Sequence, residues 1–384
     1  MAQGELLPLA VDMLPPEHLA RLPAECADLF LSGEHESFDL SAEWFRLLGS
    51  AAMATGVEPR YYVLKRGDEV RGFLPLAVQR SRRARRVGGL TNFYTSLYRP
   101  LLAPSVNAEE LAAYLRNIHE QTHADVVRFD AMDPAHPAFG VLESALRRAG
   151  LRTFRFFGFG NWYLPVEGRS FEEYFQGLSS QVRNTVRRRE KKFLADGRGA
   201  LRIVAGGDAL EEAIAAWEKI YRVSWKTAEP FTEFLPGLIR MCAARGWLRL
   251  GLAYYDGEAV AAQLWIVSHG RAAIYKLAYD EKFAQLSAGT VLTANLMRHV
   301  LDVDKVREVD YLIGDDGYKK DWMKHRRERW GVLAFNLRTP AGLFGAINES
   351  ARRMVKQMIA GIRAMQTRIR TEKRLDAAVV RDSK

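Results

Sequence analysis

The spacing of hydrophobic and polar positions changes several times along the chain, and each change predicts an element. Apolar residues recur at three- and four-residue steps in SAEWFRLLGSAAMAT (41–55), which predicts an amphipathic helix with Ser41 as N-cap. Alternation then takes over in RYYVLKRGDEVRGFLPLAVQ (60–79), a hairpin turning at Gly67-Asp68. A helix over 108–121, a strand over 125–132, a helix over 139–150 closed by Gly150 and an extended aromatic segment over 151–166 follow.

The second half repeats this plan. One long basic helix is expected over 171–197, a strand over 200–206 and helices over 208–224 and 232–245. Three strands with tight turns come next (247–256, 258–269, 271–280), then a helix over 287–302 and strands over 307–314 and 331–338. An antiparallel meander that feeds a helix and a further strand points to an α/β chain with a mixed (α+β) sheet, not a doubly wound parallel one. The halves read as loose copies of one design, joined near 151–170. Expected domains are therefore 1–160 and 161–340, with a tail over 341–384. In that tail Phe344, Ile347, Ala351, Met354, Met358, Met365 and Ile369 recur at helical spacing between Arg and Lys, as in a basic amphipathic helix that packs on its own protein or meets a membrane surface or partner.

Composition narrows the class. With 384 residues and 48% hydrophobic content there is enough for two packed cores. No run approaches the roughly 18 apolar residues of a membrane span, and acids and prolines break up the N-terminal stretch, so no signal peptide is read. Two cysteines, Cys26 and Cys242, fit a reducing cytoplasm. The net charge of +10 is clustered in RSRRARR (80–86), RNTVRRREKK (183–192) and KKDWMKHRRER (319–329), which suits a polyanionic partner: a phosphorylated cofactor, an acidic carrier protein, RNA or an anionic membrane.

Two stretches carry candidate chemistry. In YKLAYDEKFAQLSAGTVLTANL a strand ends at Asp280, a loop crosses Gln285 and Ser287, and a helix starts near Gly289-Thr290. Small residues at a helix start let backbone N–H groups approach an anion, although an ordinary Ser or Thr cap has the same spacing. In YLIGDDGYKKDW (311–322) two carboxylates, a phenol and an ammonium crowd one turn at a strand exit. Metal chemistry is not expected: the eight histidines show no ligand spacing. Neither a Gly-x-Ser-x-Gly elbow nor a Walker loop occurs.

Meander, anion loop, helix and next strand occur in the order of the GNAT acyltransferase fold. Through LSSQVRNTVRRREKKF, VAAQLWIV, YKLAYDEKFAQLSAGTVL and VDYLIGDDGYKKDW the second half resembles the GNAT-type domains of cellulose and exopolysaccharide synthesis, and more distantly the Fem aminoacyltransferases. GFLPLAV and TNFYTSLYRPLLA are similar to the degenerate leading half of the same proteins. The anion loop departs modestly from the family's Gln/Arg-x-x-Gly-x-Gly/Ala: Gln285 is kept, Ala288 and Thr290 stand at the small positions, and Gly289 falls between them.

The resemblance implies two tandem GNAT-like domains, the second catalytic. Its donor would be acyl-coenzyme A, or an acyl carrier protein presenting a phosphopantetheine arm. Donor-binding candidates are Gln263, Leu277, Tyr279, Gln285, Ser287, Ala288, Gly289 and Thr290. Asp315 or Asp316 would be the base, Tyr318 the donor to the departing thiolate, and Lys319 a holder of donor phosphate or oxyanion. Arg183, Arg187 and Trp225 are candidates for substrate binding. The acceptor would be an amine or hydroxyl, with a saccharide or envelope precursor suggested by the family. The location implied is cytoplasmic, or peripheral at the inner membrane face. The alternatives are a Fem-like enzyme using aminoacyl-tRNA and a non-catalytic scaffold.

Overall fold

The computed structural model describes residues 8–21 and 24–359. Strand β1 (Leu9–Leu14) adds to an antiparallel hairpin of β2 (Val57–Arg66) and β3 (Glu69–Arg80), whose turn places Gly67 at φ +58°. Between them α1 (Ala27–Glu34) and α2 (Ala42–Ala51) cover the sheet, and the Ser41 hydroxyl accepts the Trp44 N–H at 3.1 Å, the expected N-cap. β4 (Arg85–Gly89), the short β5 (Leu101–Leu102), α3 (Ala108–Thr122), β6 (Val126–Met132), α4 (Pro137–Arg148) and β7 (Arg152–Pro165) complete this part.

The expected long basic helix is two: α5 (Phe171–Gln176) and α6 (Ser180–Leu194). The break has a local cause. Ser179 caps α6, and the Arg183 guanidinium turns back to donate to the carbonyls of Gln176 (2.7 Å) and Leu178 (2.5 Å), which lie at the end of α5 and just beyond it. β8 (Gly199–Val204), α7 (Leu210–Val223) and α8 (Phe234–Ala244) lead to the expected meander of β9 (Leu248–Tyr255), β10 (Glu258–Ser268) and β11 (Arg271–Tyr279). After it come α9 (Ala288–Asp302), β12 (Glu308–Asp310), α10 (Lys319–Trp322) and β13 (His325–Phe335). Residues 340–359 are helical, as the tail's spacing predicts; Met365 and Ile369 lie outside the described residues. Among the described residues no helix is long and apolar enough to cross a membrane.

The strands form one mixed sheet in the order β1-β2-β3-β4-β6-β13-β7-β12-β11-β10-β9-β8, with β5 on β3. The halves are joined by an exchange of final strands. β7 closes the first half in sequence, yet its far end pairs with β12 (Tyr163 to Pro165 opposite Asp310 to Glu308), while β13 pairs with β6 of the first half. β7 and β13 then pair with each other over eleven positions. The segment expected as a linker is thus mostly strand, and neither half has a complete sheet without the other.

The likeness of the halves extends to detail. α3 and α9 each have fifteen residues, and a residue with left-handed φ follows each parallel strand pairing, Ala131 (+56°) in one half and Leu312 (+54°) in the other. Side chains of β10 alternate between two cores. Ala262, Leu264 and Ile266 join the core shared with the first half, whereas Ala261 and Trp265 face the core built on α9. The shared core is bridged by aromatic pairs, Trp44 edge-on to Phe234 (5.7 Å) and Tyr94 stacked on it (4.2 Å).

Candidate active site

β11 and β12 run parallel only where Arg271, Ala272 and Ala273 face Glu308, Val309 and Asp310. The strand expected over 307–314 therefore ends at Asp310. The buried Asp310 carboxylate is the reason: it accepts the Leu312 N–H at 2.6 Å and an Asn161 amide proton, and it pairs with Arg327. The chain is pulled out of the sheet, with Leu312 and Gly314 at positive φ. β11 continues to Tyr279 with no partner strand on that side among the described residues, and a gap opens.

Two clefts meet in the gap. One, of about 500 Å³, lies between α6 and the start of α9 and is lined by Val182, Thr185, Trp225, Tyr279, Gly289 and Thr290 among others. The second, of about 260 Å³, lies on the other side and takes its wall from both halves, with Phe93 and Tyr94 from the first and Lys226, Lys276, Asp316 and Lys319 from the second. Leu277, Tyr311 and Tyr318 line both. In the first half the corresponding gap between β4 and β6 is filled by the buried Tyr98, whose backbone N–H bonds Ala131 and whose ring lies against Gly89 and stacks on Phe129.

The larger cleft has the features of an anion site at its α9 end. Ser287, the N-cap, is left-handed (φ +52°) and its hydroxyl makes no capping bond, so the first N–H groups of α9 lack a side-chain acceptor. A Cβ at Gly289 would touch only Tyr279, at 3.7 Å, so there is room above the backbone. Gly289 and Thr290 line the cleft; Ala288 is buried beneath and Gln285 is exposed, its carbonyl accepting Arg189 at 3.0 Å. Arg189 was not singled out by the sequence, although it lies one turn beyond the cleft-lining Thr185; its Nε is buried without a partner among the described residues. Gln263 lines the cleft but is committed: its amide donates to Gly289 O (2.9 Å) and Thr293 (2.8 Å) and accepts the Trp265 indole N–H (2.9 Å). It fastens β10 to the start of α9.

The turn over 314–319 separates the two carboxylates. Asp315 is held in a two-pronged bond by Arg326 (2.8 and 2.7 Å), which lowers its pKa, and it lines neither cleft. Asp316 faces the smaller cleft and pairs with Lys319 at 3.3 Å. Lys319 is buried and donates to the carbonyl of Ile313 at 2.5 Å; burial lowers its pKa. Its ammonium organises the turn. Burial, with a smaller push from Asp316, raises the Tyr318 phenol to about 12, so it stays protonated at neutral pH.

Of the substrate-binding candidates only Trp225 reaches a cleft, its ring 4.4 Å from Tyr279. Arg183 closes α5 as described, and Arg187 pairs with Glu172 and lies over Phe175. Sequence reasoning missed Glu229 and Lys276. Glu229 accepts the hydroxyls of Tyr94 and Tyr221 and the Lys276 ammonium (2.8 Å). Burial opposes its ionisation, but these bonds outweigh burial and hold its carboxyl below the usual range. Nothing local could have announced this cluster, because Tyr94 is 135 residues from Glu229. Among the described residues no group of three or more His, Cys, Asp or Glu could hold a metal.

Residues 180–320 match the model of the acetyltransferase (GNAT) domain. Among solved structures the fold is similar to that of FemX (11% identity, 76% of this chain and 94% of that one, TM-score 0.52) and of L-PGS from Bacillus licheniformis (12%, 89% and 97%, 0.52). It is also similar to a conserved protein of unknown function from Bacteroides thetaiotaomicron (9%, 86% and 100%, 0.56). No curated protein matches the sequence. Residues 180–320 thus resemble a GNAT domain, within a mixed α/β fold that these structures share over most of their length.

Proposed function

We propose that the protein is an acyltransferase that moves an acyl group from coenzyme A, or from the phosphopantetheine arm of an acyl carrier protein, to an amine or hydroxyl. The observation that carries this reading is the meeting of two clefts at Tyr318, where β11 and β12 part. The donor's phosphates would lie at the uncapped start of α9, by Gly289 and Thr290, with Arg189 beside them. Its amide arm would run along the free edge of β11 past Leu277 and Tyr279. Gln263 and Lys319 hold this site in shape from behind.

The acceptor enters the smaller cleft. Its nitrogen or oxygen attacks the thioester carbonyl, Asp316 takes its proton, the C–S bond breaks, and Tyr318 gives a proton to the departing thiolate. Asp315, bound to Arg326, structures the turn and is not the base. The resemblance to exopolysaccharide and envelope enzymes makes a saccharide or envelope precursor the first acceptor to try. Phe344, Ile347, Met354 and Met358 of the helix over 340–359 are exposed beside Arg352 and Lys356, which supports docking on an anionic membrane.

The test is calorimetric titration with acetyl-, myristoyl- and desulfo-coenzyme A, with Gly289→Trp as site control. Saturable binding that the substitution abolishes is expected. No binding overturns the free coenzyme A reading and moves the search to carrier protein and to aminoacyl-tRNA. The fold shared with FemX keeps the tRNA reading open.

A further inference from the structure

The smaller cleft carries a positive charge that the reaction outlined above does not use. Three ammonium groups line it: Lys226, Lys276 and Lys319. Lys276 is paired with Glu229 (2.8 Å) and Lys319 with Asp316 (3.3 Å). Lys226 forms no ion pair among the described residues; its ammonium lies near the rings of Trp225 (5.7 Å) and Tyr221 (5.8 Å) and feels Glu229 and Asp316 only at longer range. Three cations against two carboxylates leave one charge uncompensated in a half-enclosed space. Surface lysines avoid such a position by swinging into water. Lys226 is only part-exposed and sits near two like charges, which is unfavourable unless an anion arrives.

We infer that this cleft recognises an anionic group, a carboxylate or a phosphate, on the acceptor, with Lys226 as its primary contact and Lys276 as its neighbour. The inference rests on the reading of this cleft as the acceptor's. The donor's own phosphates are a poor alternative, because Lys226 lines the cleft on the far side of Tyr318 from the α9 terminus. A neutral sugar or a free aliphatic amine would leave the charge unpaired. An acceptor bearing its anion a few atoms from the nucleophile would pair Lys226 and bring that nucleophile to Asp316 in one pose. Lys226 is therefore a specificity residue, whereas Asp316 and Tyr318 do the chemistry.

Burial, then the charge of Lys276, lowers the pKa of Lys226 to about 8; Glu229 and Asp316 pull the other way, and Lys319 adds to the lowering. A bound anion must raise it again. The experiment uses the full chain with ¹³C,¹⁵N-labelled lysine, the Lys226 resonance being assigned by its loss in Lys226→Arg. Its pH midpoint is followed alone, with inorganic phosphate and, separately, with acetate; glycerol is the neutral control. The expected result is a saturable upward shift with at least one anion and none with glycerol, and the anion giving the tighter shift identifies the group. Anion affinity read at Lys276 should fall by about tenfold or more in Lys226→Met, the loss of one charge-assisted bond, and persist in Lys226→Arg. A Lys226 midpoint unmoved by either anion overturns the inference. So does unchanged affinity in a folded Lys226→Met protein. Coenzyme A titration on the same samples separates the two readings: anion binding without donor binding supports this site and sinks the donor reading, and donor binding without anion binding does the reverse.

Discussion

Replacing Asp310 tests whether one buried carboxylate opens the gap between β11 and β12. Its side chain holds three donors at once, the Leu312 N–H, the Asn161 amide and the Arg327 guanidinium. In Asp310→Ala the Leu312 N–H loses its acceptor in a buried setting, whereas Asn161 retains the Leu312 carbonyl at 2.8 Å and Arg327 retains Glu308 at 2.8 Å. Breaking a buried ion pair by removing one partner destabilises by about 3–5 kcal/mol, and the partners that remain to Arg327 and Asn161 put this loss at the lower end. Asp310→Asn keeps an oxygen for Leu312 and Asn161 but presents an amide NH2 group to the Arg327 guanidinium, so that bond is lost with the charge. Loss of that one charge-assisted bond sets its effect at roughly 1.5–3 kcal/mol. Denaturant titration of both variants, with equal slopes so that midpoints compare directly, measures this. Asp310→Ala should also impair donor and acceptor binding together, because Tyr311 and Tyr318 line both clefts. A loss below about 1 kcal/mol in Asp310→Ala, or equal losses in the two variants, refutes the argument.

Three further outcomes are expected. Tyr318→Phe should lower kcat by about 10²-fold with unchanged donor affinity and unfolding midpoint, since its hydroxyl serves the departing thiolate and the ring is half exposed; an unchanged kcat removes Tyr318 from the mechanism. Residues 1–166 and 167–384, expressed apart, should each fail to unfold cooperatively, because the first then lacks β13 between β6 and β7 and the second lacks β7 between β13 and β12; a sharp transition in either refutes the exchange as a folding requirement. Acid should weaken the first half, where Glu36 pairs with Arg99 and His136. Burial opposes ionisation of Glu36, but hydrogen bonds from His136 and Arg99 outweigh it and lower its pKa from 4.5 to about 2. The stabilisation is therefore present above about pH 4.5 and is lost as pH falls toward 2. Arg99→Met should flatten that part of the stability–pH curve, and an unaltered curve would remove Glu36 from the account.

The sequence by itself determined what local periodicity and capping can specify. The β9–β11 meander, the start of α9 behind Ser287, the amphipathic helices and the crowded turn over 315–319 were legible because each is written within about twenty neighbouring residues. So was the order of strand, loop and helix over 271–302. Tertiary structure decided everything that depends on partners far apart. The exchange of β7 and β13 cannot be read from alternation, which marks a strand but not its neighbour. Asp315 and Asp316 are adjacent and alike in sequence; Arg326 claims one and leaves the other at the cleft. Arg183, Arg187 and Arg189 share one basic helix, and of the three the packing of that helix against α5 and α9 brought Arg189 to the loop before α9. The smaller cleft existed nowhere in the sequence, since Tyr94, Lys226 and Asp316 become neighbours only when the first half closes over the second. A chain writes its helices and strands locally, but the charge and shape of a site depend on which side chains long-range packing brings together.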